Sequence, residues 1–522
     1  MILAAIISSA IILADETTFT MKSVSEGEMV CTRTILVTGS AGDKAAVFME
    51  YITPTIDLVS FSGEIHTDGD KPLKIKKKDL SSVSISSGLV EDGYVIGYAP
   101  ARNNYPYTVT YTYKLQYKKG FAVFPAYNPI PGEKVALAKG EYRIVVPEGT
   151  VVRKYCSPLA GEAQLSHGKG TDIYTWTIEN YPGYVIEHNM PPRSSLVPVI
   201  LASPDVFMFD GYAGEQDSWA SIGKWQWNLL KGTEQLPQAC LADVDKLTAG
   251  VHTNLEKVRI LYNYLREKTR YVSIQLGIGG FKPFSASWVD KMGYGDCKAL
   301  SNYMRSLLNA AGIDSYYTVL NDDRPDFYPS YPSFGQTNHA MLAVPMPELR
   351  DTLWLECTSP SFPLGYRHRG IAGHQVVLIK DGAGELVRVG SYPDSISSST
   401  LSLEVFLQAD GGAHVDARRS ETGVMTERWI PYESFGPDQW RSTLTRGSDV
   451  QPQNFALGVM NNNFQTYDGP GWKPLFEVNY SFDVRSFGRL VSGRMMIPVN
   501  PFSKILESQK VERVNPLVIS GS

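Results

Sequence analysis

The chain of 522 residues is 43% apolar and 20% charged, which is ordinary globular usage and excludes wholesale disorder or a fibrous structure. Its 49 basic and 54 acidic residues leave a net charge of −5, so electrostatic binding of nucleic acid is not expected. At roughly 150 residues per domain, the length corresponds to about three to four domains.

The first 14 residues are predicted to be a signal peptide. Met1 to Leu13 are apolar apart from two serines, and the small residue Ala14 stands where cleavage would occur. This stretch is too short to span a bilayer, and no other apolar run approaches about 20 residues, so no membrane span is expected in the mature chain. We therefore expect an exported protein, periplasmic or extracellular. Because no basic residue precedes Lys22, a buried N-terminal strand is the alternative.

Hydrophobic patterning divides the rest into three parts and predicts a multi-domain α+β protein. From residue 15 to 204, short alternating runs such as Tyr107 to Tyr113 are separated by turn clusters, which is typical of a β-sandwich. Residues 205–392 mix helical and strand patterns; Thr253 opens a capping box before a helical stripe. Strand alternation returns beyond Thr400, so residues 393–522 are predicted to form a second, sandwich-like β domain.

The five cysteines are widely spaced and include no Cys-x-x-Cys, which argues against a zinc ribbon, a thioredoxin motif or a dense disulfide framework. One of them, Cys297, follows Gly293-Tyr294-Gly295-Asp296 and begins a helical stripe that Gly312 ends. With Asp296 as the N-cap, Cys297 lies on the first turn, where the helix dipole and unpaired N–H groups lower a thiol pKa. The sequence therefore indicates an activated nucleophile at Cys297.

Two predicted strands after this helix supply the partners that a nucleophilic thiol needs. His339 begins one strand and Glu356 ends the next. If these strands are neighbours, His339 can take the thiol proton and Glu356 can orient the imidazole, as in an acyl-transfer triad. Gln275 is a candidate donor to an oxyanion. Cys357, next to Glu356 on a strand, faces the other way and is expected in the core.

Three motifs carry a family resemblance: Tyr-Gly-Asp-Cys-Lys at 294–298, Asn-His at 338–339, and Trp-Leu-Glu-Cys-Thr at 354–358. Together they resemble the transglutaminase-like superfamily, whose core is papain-like. The layout is similar to bacterial multi-domain proteins of that superfamily, in which a β-rich domain of unknown function precedes the core and another β domain follows it.

The resemblance implies a function and a role for each residue. Cys297 would be the nucleophile, His339 the general base and Glu356 the acid that orients it. The substrate would be a protein or peptide amide in the cell envelope, and the acyl group would pass to water or to an amine, with hydrolysis favoured for bacterial members. No cofactor is expected, and the eight histidines, including His368 and His374, are too scattered to indicate a metal site.

The sequence departs from the family pattern at three places, and two of these departures keep an alternative open. Glu356 stands where the superfamily usually has Asp, and Ala299 stands where many related sequences carry an acid. These two differences motivate the alternative of a catalytically silent scaffold or ligand-binding protein of the envelope. The third departure is at residues 513–522, where similar proteins continue into more strands, so the last β domain is expected to be incomplete.

Overall fold

The structure, a computed structural model, describes most of the chain, without the side chains of residues 89–91 and 275. The described residues are 8–83, 89–91, 93–359, 361–446, 448, 450–498, 501–502 and 513–518. Their helices and strands form an N-terminal β region, a central α/β region and a C-terminal β region, in the predicted order.

The N-terminal β region contains two packed sheets of unequal size. Eight strands form one sheet in the order β12-β13-β10-β1-β2-β9-β4-β5, and β3, β8 and β6 form the other. The Phe48 ring of the small sheet lies 4.6 Å from the Phe61 ring of the large one, so the predicted sandwich has one short layer. The elements are β1 (Ala10–Met21), β2 (Gly27–Val37), β3 (Phe48–Ile52), β4 (Ile56–Thr67), β5 (Leu73–Lys76), β6 (Ser81–Val83), β7 (Leu89–Glu91), β8 (Tyr94–Tyr98), β9 (Tyr107–Tyr117), β10 (Val135–Pro147), β11 (Val152–Cys156), β12 (Gln164–Gly168), β13 (Thr171–Tyr181), α1 (Arg193–Leu196) and β14 (Ile200–Pro204).

Strand β1 lies in the middle of the large sheet. It pairs antiparallel with β2 and parallel with β10, and Ala10 and Ile12 are fully buried. The last five residues of the predicted signal peptide belong to this strand, and cleavage after Ala14 would remove them from its 12 residues. For residues 10–14 the fold therefore favours the buried strand. Residues 1–7 lie outside the described residues.

The central α/β region is built on a five-stranded antiparallel sheet in the order β22-β21-β20-β23-β24. Helix α6 packs on it through fully buried side chains such as Tyr303 and Leu307, because its apolar residues recur at helical spacing. The elements are β15 (Val206–Phe209), β16 (Tyr212–Glu215), α2 (Trp219–Leu230), α3 (Gln238–Thr248), α4 (Asn254–Lys268), β17 (Arg270–Tyr271), β18 (Ser273–Gln275), α5 (Ala286–Met292), β19 (Tyr294–Gly295), α6 (Cys297–Ala310), β20 (Tyr316–Leu320), β21 (His339–Met346), β22 (Asp351–Leu355), β23 (Gln375–Lys380) and β24 (Ala383–Arg388).

The C-terminal β region contains a four-stranded antiparallel sheet in the order β25-β26-β28-β27. Its inner face is covered by aromatic residues rather than by the second sheet that the sandwich prediction expects: Trp429 stacks on Phe476 at 5.0 Å and on Trp440 at 5.8 Å. The elements are β25 (Ser398–Leu407), β26 (Ala413–Thr422), α7 (Pro437–Leu444), β27 (Gln453–Asn462), β28 (Leu475–Val484), β29 (Arg489–Val491) and β30 (Arg494–Met496).

The central and C-terminal regions share one hydrophobic core. Buried residues of both regions form a single cluster, and Arg259 of α4 donates to the backbone oxygen of Tyr467 at 2.7 Å. Of the helices that the structure describes, none combines the length and the apolar character needed to cross a membrane.

The position of β1 gives a matched pair of substitutions. Ile12 is fully buried, whereas its neighbour Leu13 is 40% exposed on the other face of the same strand. We expect Ile12→Ala to lower the free energy of unfolding by about 2–5 kcal/mol and Leu13→Ala to change it by less than about 0.5 kcal/mol. The shift in the urea midpoint of the full chain measures both. Equal effects of the two substitutions would contradict the assignment of residues 10–14 to the sheet.

Candidate active site

Cys297 is the first residue of α6, as the sequence predicts. Asp296 caps this helix by accepting a hydrogen bond from the Ala299 N–H group at 2.9 Å. Gly293 ends α5 in the left-handed conformation with φ of 69°, and a Cβ atom on Gly295 would lie 2.8 Å from the Ala299 side chain. The two glycines therefore allow the tight approach that places the thiol, 8% exposed, beside the unpaired N–H groups of the helix N-terminus.

A buried ion pair lies next to the thiol. The Lys298 ammonium contacts the Asp296 carboxylate at 2.5 Å, and the two side chains are 8% and 2% exposed. Ala299, where related sequences carry an acid, is fully buried. An acid at that position would need a partner of its own. The Lys298 ammonium is already paired with Asp296, so it does not need an acid at position 299 as a partner.

The pairing of β21 with β22 brings His339 and Glu356 together. The two strands are antiparallel, so the start of β21, which is His339, lies beside the end of β22, which Glu356 follows. The His339 Nε2 atom lies 2.8 Å from Glu356 Oε2. Because Nε2 faces Glu356, Nδ1 is the imidazole nitrogen that remains for the thiol. Cys297 and His339 line the same cleft, so the sulfur, the imidazole and the carboxylate are gathered at one place.

The Glu356 carboxylate has further donors besides His339. Its Oε1 atom accepts hydrogen bonds from the Thr358 N–H group at 2.9 Å and from the Thr358 hydroxyl at 2.5 Å. Its Oε2 atom also accepts from His368 Nε2 at 3.3 Å. Gly370 N–H donates to His368 Nδ1, so the His368 proton is on Nε2, where it points at the carboxylate. Hydrogen bonds to both carboxylate oxygens therefore fix the Glu356 side chain, which is longer than that of an Asp.

His368 is the site residue that the sequence analysis missed. Its ring stacks on Phe362 at 4.6 Å, and the segment after β22 returns it to Glu356. No spacing rule marks this contact, because it depends on the path of an irregular segment. His374, six residues later, bonds instead to the backbone oxygen of Asn321. Within the described part of the chain, no group of three or more His, Cys, Asp or Glu residues is placed to hold a metal ion.

The pKa values of the two central groups move in opposite directions. Burial by itself lowers the pKa of His339, but the nearby Cys297 sulfur and the hydrogen bond to Glu356 raise it to about 10. Burial by itself raises the pKa of Glu356, but hydrogen bonds from His339, His368 and Thr358 lower it well below its usual range. The free energy that His339 contributes to folding is thus fully present below about pH 6.5 and is lost as the pH rises through about 10. The contribution of Glu356 is lost at acid pH, where its carboxylate takes up a proton.

Cys297 and His339 open onto a cleft of about 460 Å³. One wall comes from the N-terminal β region, where Tyr51 near the end of β3 and the turn residues 53–55 before β4 reach the central region. The opposite side is apolar and includes Phe281 and Phe334. Among the described residues that line the cleft, Lys298 and His339 are the basic ones and none is acidic. A substrate would therefore meet a mostly uncharged surface around the thiol.

Two glutamines bear on oxyanion stabilisation. The backbone of Gln275 lies in β18, but its side chain lies outside what the structure describes, so its role stays a prediction. Gln226 of α2 is a second amide, which the sequence analysis did not single out. It is 2% exposed, lines the cleft and donates one N–H to the Phe281 backbone oxygen at 3.0 Å. The second N–H of the same nitrogen is not used by that bond.

Comparison with known proteins identifies the central region. Residues 243–358 match the family model of the transglutaminase-like superfamily, and this range contains Cys297, His339 and Glu356. None of the curated proteins matches this chain.

Among solved structures, a candidate protease from Parabacteroides distasonis has a similar fold over nearly the whole length. The TM-score is 0.56 at 14% sequence identity, with 92% of this chain and 94% of that chain covered. A candidate cysteine protease from Cytophaga hutchinsonii has a TM-score of 0.18 at 10% identity, with 64% of this chain and 76% of that chain covered. An M1 zinc metallopeptidase from Deinococcus radiodurans has a TM-score of 0.20 at 9% identity, with 37% of this chain and 42% of that chain covered. Both TM-scores are too low to support a conclusion. The central region of this chain contains a transglutaminase-like core.

Proposed function

We propose that this protein is a cysteine-dependent acyl-transfer enzyme that hydrolyses amide or peptide bonds. The observation that carries the proposal is the pairing of His339 with Glu356 at 2.8 Å, at a cleft that Cys297 lines together with His339. The transglutaminase-like core around these residues supports the same reaction class. The fold shared with a candidate protease is consistent with a peptide substrate.

The first half of the proposed reaction forms an acyl-enzyme. The Cys297 sulfur attacks the substrate carbonyl carbon while His339 Nδ1 holds the thiol proton. The negative charge that develops on the carbonyl oxygen is stabilised by N–H groups at the start of α6, with the Gln226 amide as a second candidate donor. His339 then gives its proton to the leaving amine, the carbon–nitrogen bond breaks, and the acyl group stays on the sulfur.

The second half returns the free thiol. His339 takes a proton from a water molecule, whose oxygen attacks the thioester carbon, and the carboxylic acid leaves as the sulfur regains its proton. Throughout the cycle Glu356 stabilises the imidazolium form of His339. An amine acceptor would need its own binding surface, whereas the thiol faces a single cleft that residues 51–55 close on one side. This favours water as the acceptor.

The contacts of Glu356 weigh against the silent-scaffold alternative. The concern was that a Glu in place of an Asp would fail to orient the imidazole, yet its carboxylate lies 2.8 Å from His339. The second concern was the missing acid at position 299. Ala299 is buried next to the ion pair that Lys298 forms with Asp296. Action in the cell envelope stays a prediction, which fractionation of cells that produce the full chain tests.

Peptide digestion tests the proposed activity directly. We expect the full chain to convert a mixture of unstructured peptides into fragments that gain one water per cleavage, read by mass spectrometry. Cys297→Ala should abolish these products, and His339→Ala should slow them by about 10²-fold or more. Methylamine in the reaction distinguishes the acceptors, because transamidation would give products with added methylamine instead of water. Equal activity of Cys297→Ala and the wild type would rule out the proposal.

Alkylation by iodoacetamide tests the thiol without a substrate. Burial raises the pKa of the other four thiols: Cys31 and Cys240 to about 11, and Cys156 and Cys357 in the same direction. At about pH 6 an ordinary thiol with a pKa near 8.5 is only about 0.3% ionised. We expect Cys297 to be labelled first at this pH, and His339→Ala to remove that selectivity. Uniform slow labelling of all five would contradict a working thiol–imidazole pair.

The same assay isolates the positioning role of His368. His368→Leu removes the donor to Glu356 Oε2, so we expect Cys297 labelling near pH 6 to slow by about tenfold. His368→Gln keeps an N–H donor and should retain most of the rate. His374→Gln is the matched control, because His374 contacts the Asn321 backbone and not Glu356. Equal losses in His368→Leu and His368→Gln would indicate a packing role only.

A further inference from the structure

Three charged side chains occupy inward positions of the N-terminal β region. In β2 the buried positions alternate through Met29, Cys31 and Ile35, and Arg33 stands in the same series. Asp15 of β1 and Glu50 of β3 are likewise in the inward phase of their strands. Charged groups inside a sandwich cost free energy unless they are paired or bind something. The proposed reaction at Cys297 does not use this cluster.

Asp15 and Arg33 satisfy each other only in part. They are directly opposite on neighbouring strands, and Arg33 Nε donates to Asp15 Oδ2 at 2.5 Å. The Thr17 hydroxyl donates to the other oxygen of the fully buried Asp15 at 2.9 Å. The Arg33 side chain is 28% exposed, and its two terminal nitrogens form no hydrogen bond with the described residues. Asp15 therefore fixes the Arg33 guanidinium, and the two terminal nitrogens of Arg33 remain available to a ligand.

Glu50 approaches the same space from the small sheet. Its Oε1 atom accepts a hydrogen bond from the Tyr113 hydroxyl at 2.5 Å, which leaves Oε2 available. Within the described residues, no ion pair joins Glu50 to Arg33. Burial raises the pKa of Glu50, while the Tyr113 hydrogen bond and the positive charge of Arg33 act in the opposite direction, so a further cationic group beside it would favour its ionised form. The two groups thus offer one positive and one negative contact to the same cavity.

That cavity has a volume of about 220 Å³ and aromatic walls. Arg33 and Glu50 line it together with the rings of Phe48, Tyr111 and Tyr117. A dry cavity of about 150 Å³ is large enough for benzene, so this one can hold a ring or a branched chain with several further heavy atoms. A concave site with aromatic rings and a few convergent charged groups suits a small molecule that carries both a ring and polar groups.

We propose that this cavity binds a free α-amino acid with an apolar or aromatic side chain. The ligand carboxylate would accept hydrogen bonds from the terminal nitrogens of Arg33, whose fork geometry suits a carboxylate. The ligand ammonium group would pair with Glu50, and the side chain would lie among the aromatic rings. A zwitterion with an apolar or aromatic side chain uses both charged groups and the rings of the cavity wall. The proposal is independent of the reaction at Cys297.

Isothermal titration of the full chain with three related probes tests the site. L-phenylalanine carries both charged groups, phenethylamine lacks the carboxylate and 3-phenylpropionate lacks the ammonium. We expect saturable one-to-one binding of L-phenylalanine, and affinities at least about tenfold weaker for the other two, because each loses a charge-assisted contact. Cys297→Ala should bind L-phenylalanine as the wild type does, which separates this site from the proposed active site.

Glu50→Gln identifies the ammonium contact. The amide keeps the size of the side chain and an oxygen for the Tyr113 hydroxyl, so the fold is expected to be retained. We expect Glu50→Gln to bind L-phenylalanine at least about tenfold more weakly than the wild type. Glu16→Gln, at an exposed position of β1, is the control and should bind as the wild type does. Absence of saturable binding by the wild type, equal affinity for phenethylamine, or unchanged binding by Glu50→Gln would overturn the proposal.

Discussion

The carboxylate of Glu356 is the centre on which the proposed active site depends. It accepts hydrogen bonds from His339, from His368 and from both polar groups of Thr358, while remaining almost completely buried. A buried carboxylate with fewer donors would take up a proton and release the imidazole. The number of donors explains how a Glu can serve where the superfamily usually has an Asp: the longer side chain is fixed at both oxygen atoms, so its extra rotational freedom is removed.

The three regions of the chain contribute differently to this site. The central sheet brings His339 and Glu356 together through one strand pair, and α6 presents the thiol to the imidazole. The C-terminal sheet shares one hydrophobic core with the central region. The N-terminal β region supplies residues 51–55 as a wall of the cleft, and it also contains the separate charged cavity around Arg33. The N-terminal β region thus bounds the cleft without contributing a residue to the proposed reaction.

Local features of the site could be predicted from the sequence, and contacts between distant segments could not. The Gly-Asp-Cys motif before a helical stripe placed Cys297 on the first turn of a helix, because capping and periodicity are local properties. The contact between His339 and Glu356 required the assumption that two strands pair. His368 was missed because an irregular segment carries it back. The apolar start of the chain fitted both a signal peptide and a buried strand, and the fold favours the strand for residues 10–14.

The protonation state of His339 tests the central claim most directly. Nuclear magnetic resonance of the full chain, with ¹⁵N-labelled histidine and assignment by His339→Gln, follows this one imidazole as a function of pH. The account predicts that His339 stays protonated through neutral pH and titrates near pH 10, and that Glu356→Gln moves its pKa down towards the ordinary value of about 6.5. A wild-type His339 that titrates near 6.5, or one that does not respond to Glu356→Gln, would contradict the account.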